Sequence, residues 1–159
     1  MPKLEYRLLD ELNQFPLVSQ YRDISKAEIS LRFCCDYFVK GRKVYQKTSS
    51  ACTMDDTYVI YVVEDPEEQV EDQGLVFLPD WIGIRVEVRQ YHEEQSNYPV
   101  VLKKHFHDFQ DSLLFLMSHF VEINGLEWEK TSTEVDENRK VYVYYAQPTG
   151  SFIKGGQHE

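Results

Sequence analysis

His105, His107, Asp108 and Asp111 are the densest group of metal-capable side chains in the sequence. The spacing His105-Phe-His107 puts two imidazoles on one side of a strand, and neutral imidazole with carboxylate suits zinc, nickel or iron. With His92 or Asp108 completing the set, this would be the centre of a small metal-dependent hydrolase. A complete site needs three or four ligands, and the remaining histidines add little: His119 falls within a predicted helix and His158 near the end of the chain. Helix capping accounts for both carboxylates without metal, Asp108 as N-cap and Asp111 in the first turn against the helix dipole. No cofactor is indicated and no catalytic residue is assigned.

The other reactive side chains are sparser still. Cys34 and Cys35 sit among Phe and Leu in a predicted helix, and Cys52 lies in the polar stretch Ser49-Ser-Ala-Cys-Thr53. None has a histidine at a spacing that would make it a nucleophile. An odd count of three, with an adjacent pair, reads as reduced thiols in a cytoplasmic protein. Gly41, Gly74, Gly83 and Gly125 are isolated, so no phosphate-cradling loop is present.

Charge is concentrated. The net charge is −10, and Glu64, Asp65, Glu67, Glu68, Glu71 and Asp72 supply six of the negative charges with no base among them. They read as one acidic loop, with Glu67, Glu68, Glu71 and Asp72 as candidates for engaging a basic partner. The overall acidity argues against nucleic-acid binding through phosphate contacts. No apolar run approaches the ~20 residues of a membrane-spanning helix.

These side chains must be positioned by elements that the hydrophobic pattern predicts. Leu4, Leu8, Leu9 and Leu12 give a first helix over 3–14, ended by Phe15-Pro16. Ser25-Lys-Ala-Glu28 has the form of a capping box and opens a second helix running to Gly41. Strands are predicted over 43–50 and 57–63, with a short one over 75–78. Ile84 to Tyr91 alternates cleanly and pairs with 100–106. The register that sets Val88 against Leu102 also sets Ile84 against Phe106 and Glu87 against Lys103. A third helix follows, with Phe109, Leu113, Leu116, Met117 and Phe120 as its buried stripe. A final hairpin spans 126–135 and 140–147. No internal repeat is visible. The fold class expected is α+β: an antiparallel sheet of five to six strands, two N-terminal helices and one inserted helix, as a single domain over 1–148 with a disordered tail over 149–159.

In the last hairpin, Val141, Val143, Tyr145 and Trp128 read as the core face. Tyr142 and Tyr144 then make a two-aromatic patch on the other face, a candidate interaction surface. With no catalytic constellation complete, the functional reading is a non-catalytic protein-interaction or regulatory module, an adaptor or inhibitor whose partner is another protein or a second copy in a homodimer. The alternatives are the metal-dependent hydrolase above and a small-molecule binding domain.

Overall fold

Leu4 and Tyr6 point to one side of the backbone and Glu5 and Arg7 to the other, a period of two that makes residues 3–8 a strand and not a helix. Of the four leucines that fit the helical spacing, Leu9 is 50% and Leu12 96% accessible, while Leu4 is buried together with Tyr6, which the helical pattern leaves out. A computed structural model describes residues 1–70, 75–95 and 97–152. It corrects the predicted architecture. The order is β1 (Lys3–Leu8), a short 3-10 turn (Glu11–Asn13), β2 (Leu17–Arg22), α1 (Lys26–Cys34), β3 (Tyr37–Lys40), β4 (Lys43–Cys52), β5 (Thr57–Gln69), β6 (Ile84–Gln90), β7 (Val100–Phe106), α2 (Phe109–Met117), β8 (Phe120–Ile123), β9 (Leu126–Asp136) and β10 (Val141–Phe152).

The strands form a single ten-stranded sheet in the order β2-β1-β5-β4-β3-β9-β10-β6-β7, with β8 also paired to β9. It is mixed, not antiparallel. The pairs β1–β5, β6–β10 and β3–β9 are parallel. Local hairpin signals are readable from sequence; parallel pairing between distant strands leaves no such local mark.

Read from strand registers, the chain is two copies of one unit, contrary to the expectation of no repeat. Each half is a hairpin, a helix, a short strand, and two long strands of which the last returns parallel to the first. Leu4 pairs with Tyr58 as Val86 pairs with Tyr142. Ser49 pairs with Tyr61 as Ser132 pairs with Tyr145. Side-chain contacts repeat as well. Arg7 Nε donates to Glu5 at 2.8 Å and Arg89 Nε to Glu87 at 3.1 Å. Arg7 donates to the Phe15 carbonyl at 2.8 Å and Arg89 to the Tyr98 carbonyl at 2.9 Å, each just before a proline. The Lys47 ammonium meets the carbonyl of Phe33 in α1, and that of Lys130 meets Leu116 in α2. β3 runs antiparallel to β4 and parallel to β9. The matching strands β4 and β9 therefore run in opposite directions, the relation that a two-fold axis normal to the sheet produces.

Both helices lie on one face of the sheet and pack on each other. Under them sit Leu4, Tyr6, Phe38, Ile60, Val62, Val86, Val88, Val135, Tyr142 and Tyr144, all nearly inaccessible. Several predicted boundaries shift. Ser25 does cap α1, its hydroxyl accepting from the Glu28 amide at 3.1 Å, but the helix stops at Cys34 and Tyr37–Lys40 is strand. α2 likewise stops at Met117, and Phe120, placed in its buried stripe by the sequence pattern, opens β8 and is 49% exposed. No strand forms over 75–78. The hairpin β6–β7 has the predicted register from Ile84 to Val88, with Val88 on Leu102, Glu87 on Lys103, Arg85 on His105 and Ile84 on Phe106, and shifts beyond it, where Arg89 meets Val100. β10 continues through Thr149 to Phe152, into the predicted tail; residues 153–159 lie outside the described residues.

Candidate functional site

The sheet face turned away from the helices is not a plain solvated surface. A half-open cleft of about 830 Å³ lies on it, over β3, β9, β10 and β6 and bordered by the far end of β5. Its position follows from strand alternation. In β9, Thr133 and Val135 face the helices, so Glu134 and Asp136 face the cleft, as does Tyr145 from β10. Tyr37 in β3, Tyr91 and Tyr98 complete an aromatic lining; Tyr98 stacks on Tyr91 at 5.3 Å and meets Tyr145 edge-on at 5.4 Å.

Most of the charge in the cleft is already paired. Arg139 makes two parallel bonds to Glu87, each 3.0 Å, and a third of 3.0 Å to Asp136. Asp136 also accepts the amides of Asn138 and Arg139, so it holds the β9–β10 turn. Arg89 is spent on Glu87 and the Tyr98 carbonyl. Burial by itself would raise the Glu87 carboxyl, but the two guanidinium groups outweigh it and hold the group below the usual value.

Glu134 is the exception. It is only 9% exposed, and among the described residues no cation pairs with it. Among the described residues its side chain has one hydrogen bond, to Oε1, donated by the Tyr145 hydroxyl at 3.2 Å. Burial, then the charge of Asp136, push its carboxyl up to about 8, against the weaker opposing effects of the Tyr145 bond, Arg139 and Arg89. At neutral pH Glu134 is thus mainly a neutral acid. A second cleft carboxyl, Glu68, is also shifted upward, by partial burial and by Asp65 and Glu67.

The repeated strand frame carries no acid at the matching position of the first half. Glu134 pairs with Val143 as Ala51 pairs with Val59, so Ala51 is its counterpart in the first half. The surrounding frame is shared. Phe15 meets Tyr61 edge-on at 5.4 Å, as Tyr98 meets Tyr145. The strand frame recurs in both halves, but Ala51 is exposed, whereas Glu134 is buried beside Tyr37 of β3.

The residues singled out from sequence fall elsewhere or at the border. Tyr142 and Tyr144 do not form an exposed patch; they are 2% and 0% exposed. α1 and the 79–83 segment cover Tyr142 through Arg32 and Trp81, whose ring lies 5.0 Å from it. Tyr144 donates to the Ser118 carbonyl at 2.6 Å and packs on Phe115 of α2. The face assignment was inverted because of a register shift in β9 between Lys130 and Ser132, which puts Trp128 on the same side as Tyr144. Glu67 and Glu68 lie in β5 and not in a loop; Glu68 lines the cleft and Glu67 does not. Glu71 and Asp72 lie outside the described residues. The rings of His105 and His107 stack 5.9 Å apart beside a smaller hollow of about 380 Å³. Asp108 caps α2 without a side-chain hydrogen bond, and His92 lies in the turn after β6, where its carbonyl accepts from the Gln95 amide. Among the described residues no three of His, Cys, Asp and Glu converge to hold a metal.

No model of a protein family, no curated protein and no solved structure matches the chain. No helix among the described residues is long and apolar enough to cross a membrane.

Proposed function

We propose that this protein is a non-catalytic binding module whose recognition surface is the cleft on the open face of the sheet. The observation that carries this reading is Glu134: a buried acid with no counter-charge, set in an aromatic cleft, at a position where the sister half has alanine. A buried acid with no counter-charge, whose burial is unfavourable to it, is what a binding site retains for a ligand. The interaction and small-molecule readings share this surface; they differ in whether the bound group arrives on a partner protein or free. The metal-dependent reading rests on two imidazoles with no third ligand beside them among the described residues.

Amide and side-chain NMR with a panel of small positively charged, negatively charged and neutral compounds tests this. Shifts should cluster on Tyr37, Arg89, Glu134 and Tyr145. A panel that moves no cleft resonance, or that moves only those around His105 and His107, overturns the reading.

A further inference from the structure

We infer that the cleft takes an organic cation, a primary amine or a guanidinium, held by Glu134 and Glu68 and seated against the faces of Tyr37 and Tyr98. This rests on the cleft being the recognition surface, and adds the chemistry of what it recognises.

The sign of the charge is decided by elimination within the cleft. Arg89 and Arg139 could attract an anion, but each of their guanidinium nitrogens already meets an acceptor and their two charges are matched by two carboxylates: Arg139 on Glu87 and Asp136, Arg89 on Glu87 and the Tyr98 carbonyl. Asp136 and Glu87 are consumed by the same network. The cleft groups left over are Glu134 and Glu68, neither with an ion-pair partner among the described residues. Tyr98 lies within electrostatic reach of both carboxyls, and Tyr37 within reach of Glu68 and Asp65. Aromatic faces beside carboxylates attract a cation twice over, through the ring quadrupole and through direct charge. The net charge of −10 and the acidic run of β5 at the border favour approach of the same sign.

A proton is linked to this binding. Glu134 faces Asp136 from its own strand, Arg139 from the turn, Arg89 from β6 and Tyr145 from β10, and with these neighbours it is protonated near pH 7. An arriving cation favours the carboxylate, so binding drives the Glu134 proton into solution. A cation held only by a surface carboxylate releases none.

The test is titration calorimetry at pH 7 with cadaverine, agmatine and tetramethylammonium. Glutarate and butyramide serve as anionic and neutral controls. Buffers of different ionisation enthalpy count the protons released. The cations should bind and release close to one proton per cation. E134Q, which keeps shape and neutrality, should weaken binding about tenfold or more, as loss of a charge-assisted contact does, and abolish proton release. E68Q should weaken binding and leave the release intact. The capped peptides acetyl-Gly-Lys-Gly-amide and acetyl-Gly-Arg-Gly-amide distinguish the sources: binding tighter than cadaverine or agmatine assigns the cation to a partner protein, and the reverse assigns it to a free amine. Binding of cations without proton release, or unchanged in E134Q, overturns the inference. Glutarate or butyramide in the cleft with the cations excluded overturns it also but leaves the cleft as the recognition surface. Silence from every probe overturns both.

Discussion

Replacing Arg32 with methionine tests how the two halves are held together. Arg32 in α1 has a fully buried side chain and donates at 2.8 Å to Glu137, which lies in the β9–β10 turn of the other half. Its guanidinium also stands 4.4 Å from the Tyr21 ring centre and 5.6 Å from that of Trp81. Removing one partner of a buried ion pair costs about 3–5 kcal/mol, because the other charge is stranded. Two features bring the expectation to the low end. Glu137 keeps Tyr21, Trp81 and Lys140 as partners, and Arg32 Nε and Nη1 have no hydrogen bond among the described residues, so their loss gives some energy back. The expected loss is about 3 kcal/mol, or ~6–12 °C in Tm for a domain of this size. R32M/E137Q, which leaves no stranded carboxylate and keeps an acceptor for Tyr21 and Trp81, should be more stable than R32M. The pH dependence adds a second check. Burial would raise the Glu137 carboxyl, but Arg32, with Tyr21, outweighs it and holds the group below its usual value. In the parent this stabilisation is present above the ordinary glutamate value near 4.3 and is lost as pH falls through the lower folded value. In R32M burial acts unopposed by Arg32 and the carboxyl rises. The deficit of the variant should then shrink as the solution is acidified toward pH 4. Urea melts at several pH values read both quantities. A loss below ~0.5 kcal/mol, a double variant worse than the single, or a deficit independent of pH would refute the reasoning.

Glu134 gives the opposite sign: its folded value lies near 8, so the folded state holds a proton the unfolded chain has lost, and parent stability should fall as pH rises from about 5 to 8. E134Q should flatten that slope by at least ~1 kcal/mol across the window, and an unchanged slope would refute the assignment. Y142S/Y144K should unfold the protein, since it removes two buried rings and inserts a lysine under the helices, exceeding about 5 kcal/mol; a folded variant by circular dichroism would contradict the burial of that face. G83A should lose ~1–2 kcal/mol for placing a side chain at φ +65°, and more from the His105 ring, whose Nε2 would lie 2.4 Å from the new carbon. Adding H105A should recover only the second part, by thermal melting.

How much of this was legible depended on sequence range. The β6–β7 register, the Ser25 cap and the strands over 43–50 and 57–63 follow from contacts within a few residues or across one turn. The first strand was misread because Leu4 and Leu8 fit periods of both two and four, and only burial separates them. The duplication was hidden because its identities are scattered: Lys47-Thr-Ser49 against Lys130-Thr-Ser132, Phe15-Pro16 against Tyr98-Pro99, Tyr58 and Tyr61 against Tyr142 and Tyr145. Strand pairing aligns them; helix partners such as Arg32 and Phe115 do not match at all. The cleft was invisible for the same reason. Tyr37, Glu68, Tyr98 and Glu134 converge only when β3 and β9 pair in parallel across the seam. The available signal was Glu134 with Asp136 in an alternating strand, two acids on the face that the pattern assigns to the core with Val141 and Val143.

The parallel closure of each half also governs the order in which the chain can fold. β1 cannot enter the sheet beside β5 until the whole of its half has been made, and β6 must likewise wait for β10. Each half is a closed circuit of long-range contacts, and such circuits form slowly. The seam between them, Tyr37–Val39 beside Glu134–Asp136, adds few backbone contacts, so it is expected to join last. Refolding should therefore show two comparable slow phases followed by docking. Until docking, β3 and β9 present open edges that match those of any other chain at the same stage, so concentration during refolding decides whether a half closes on its own sister or on a neighbour's.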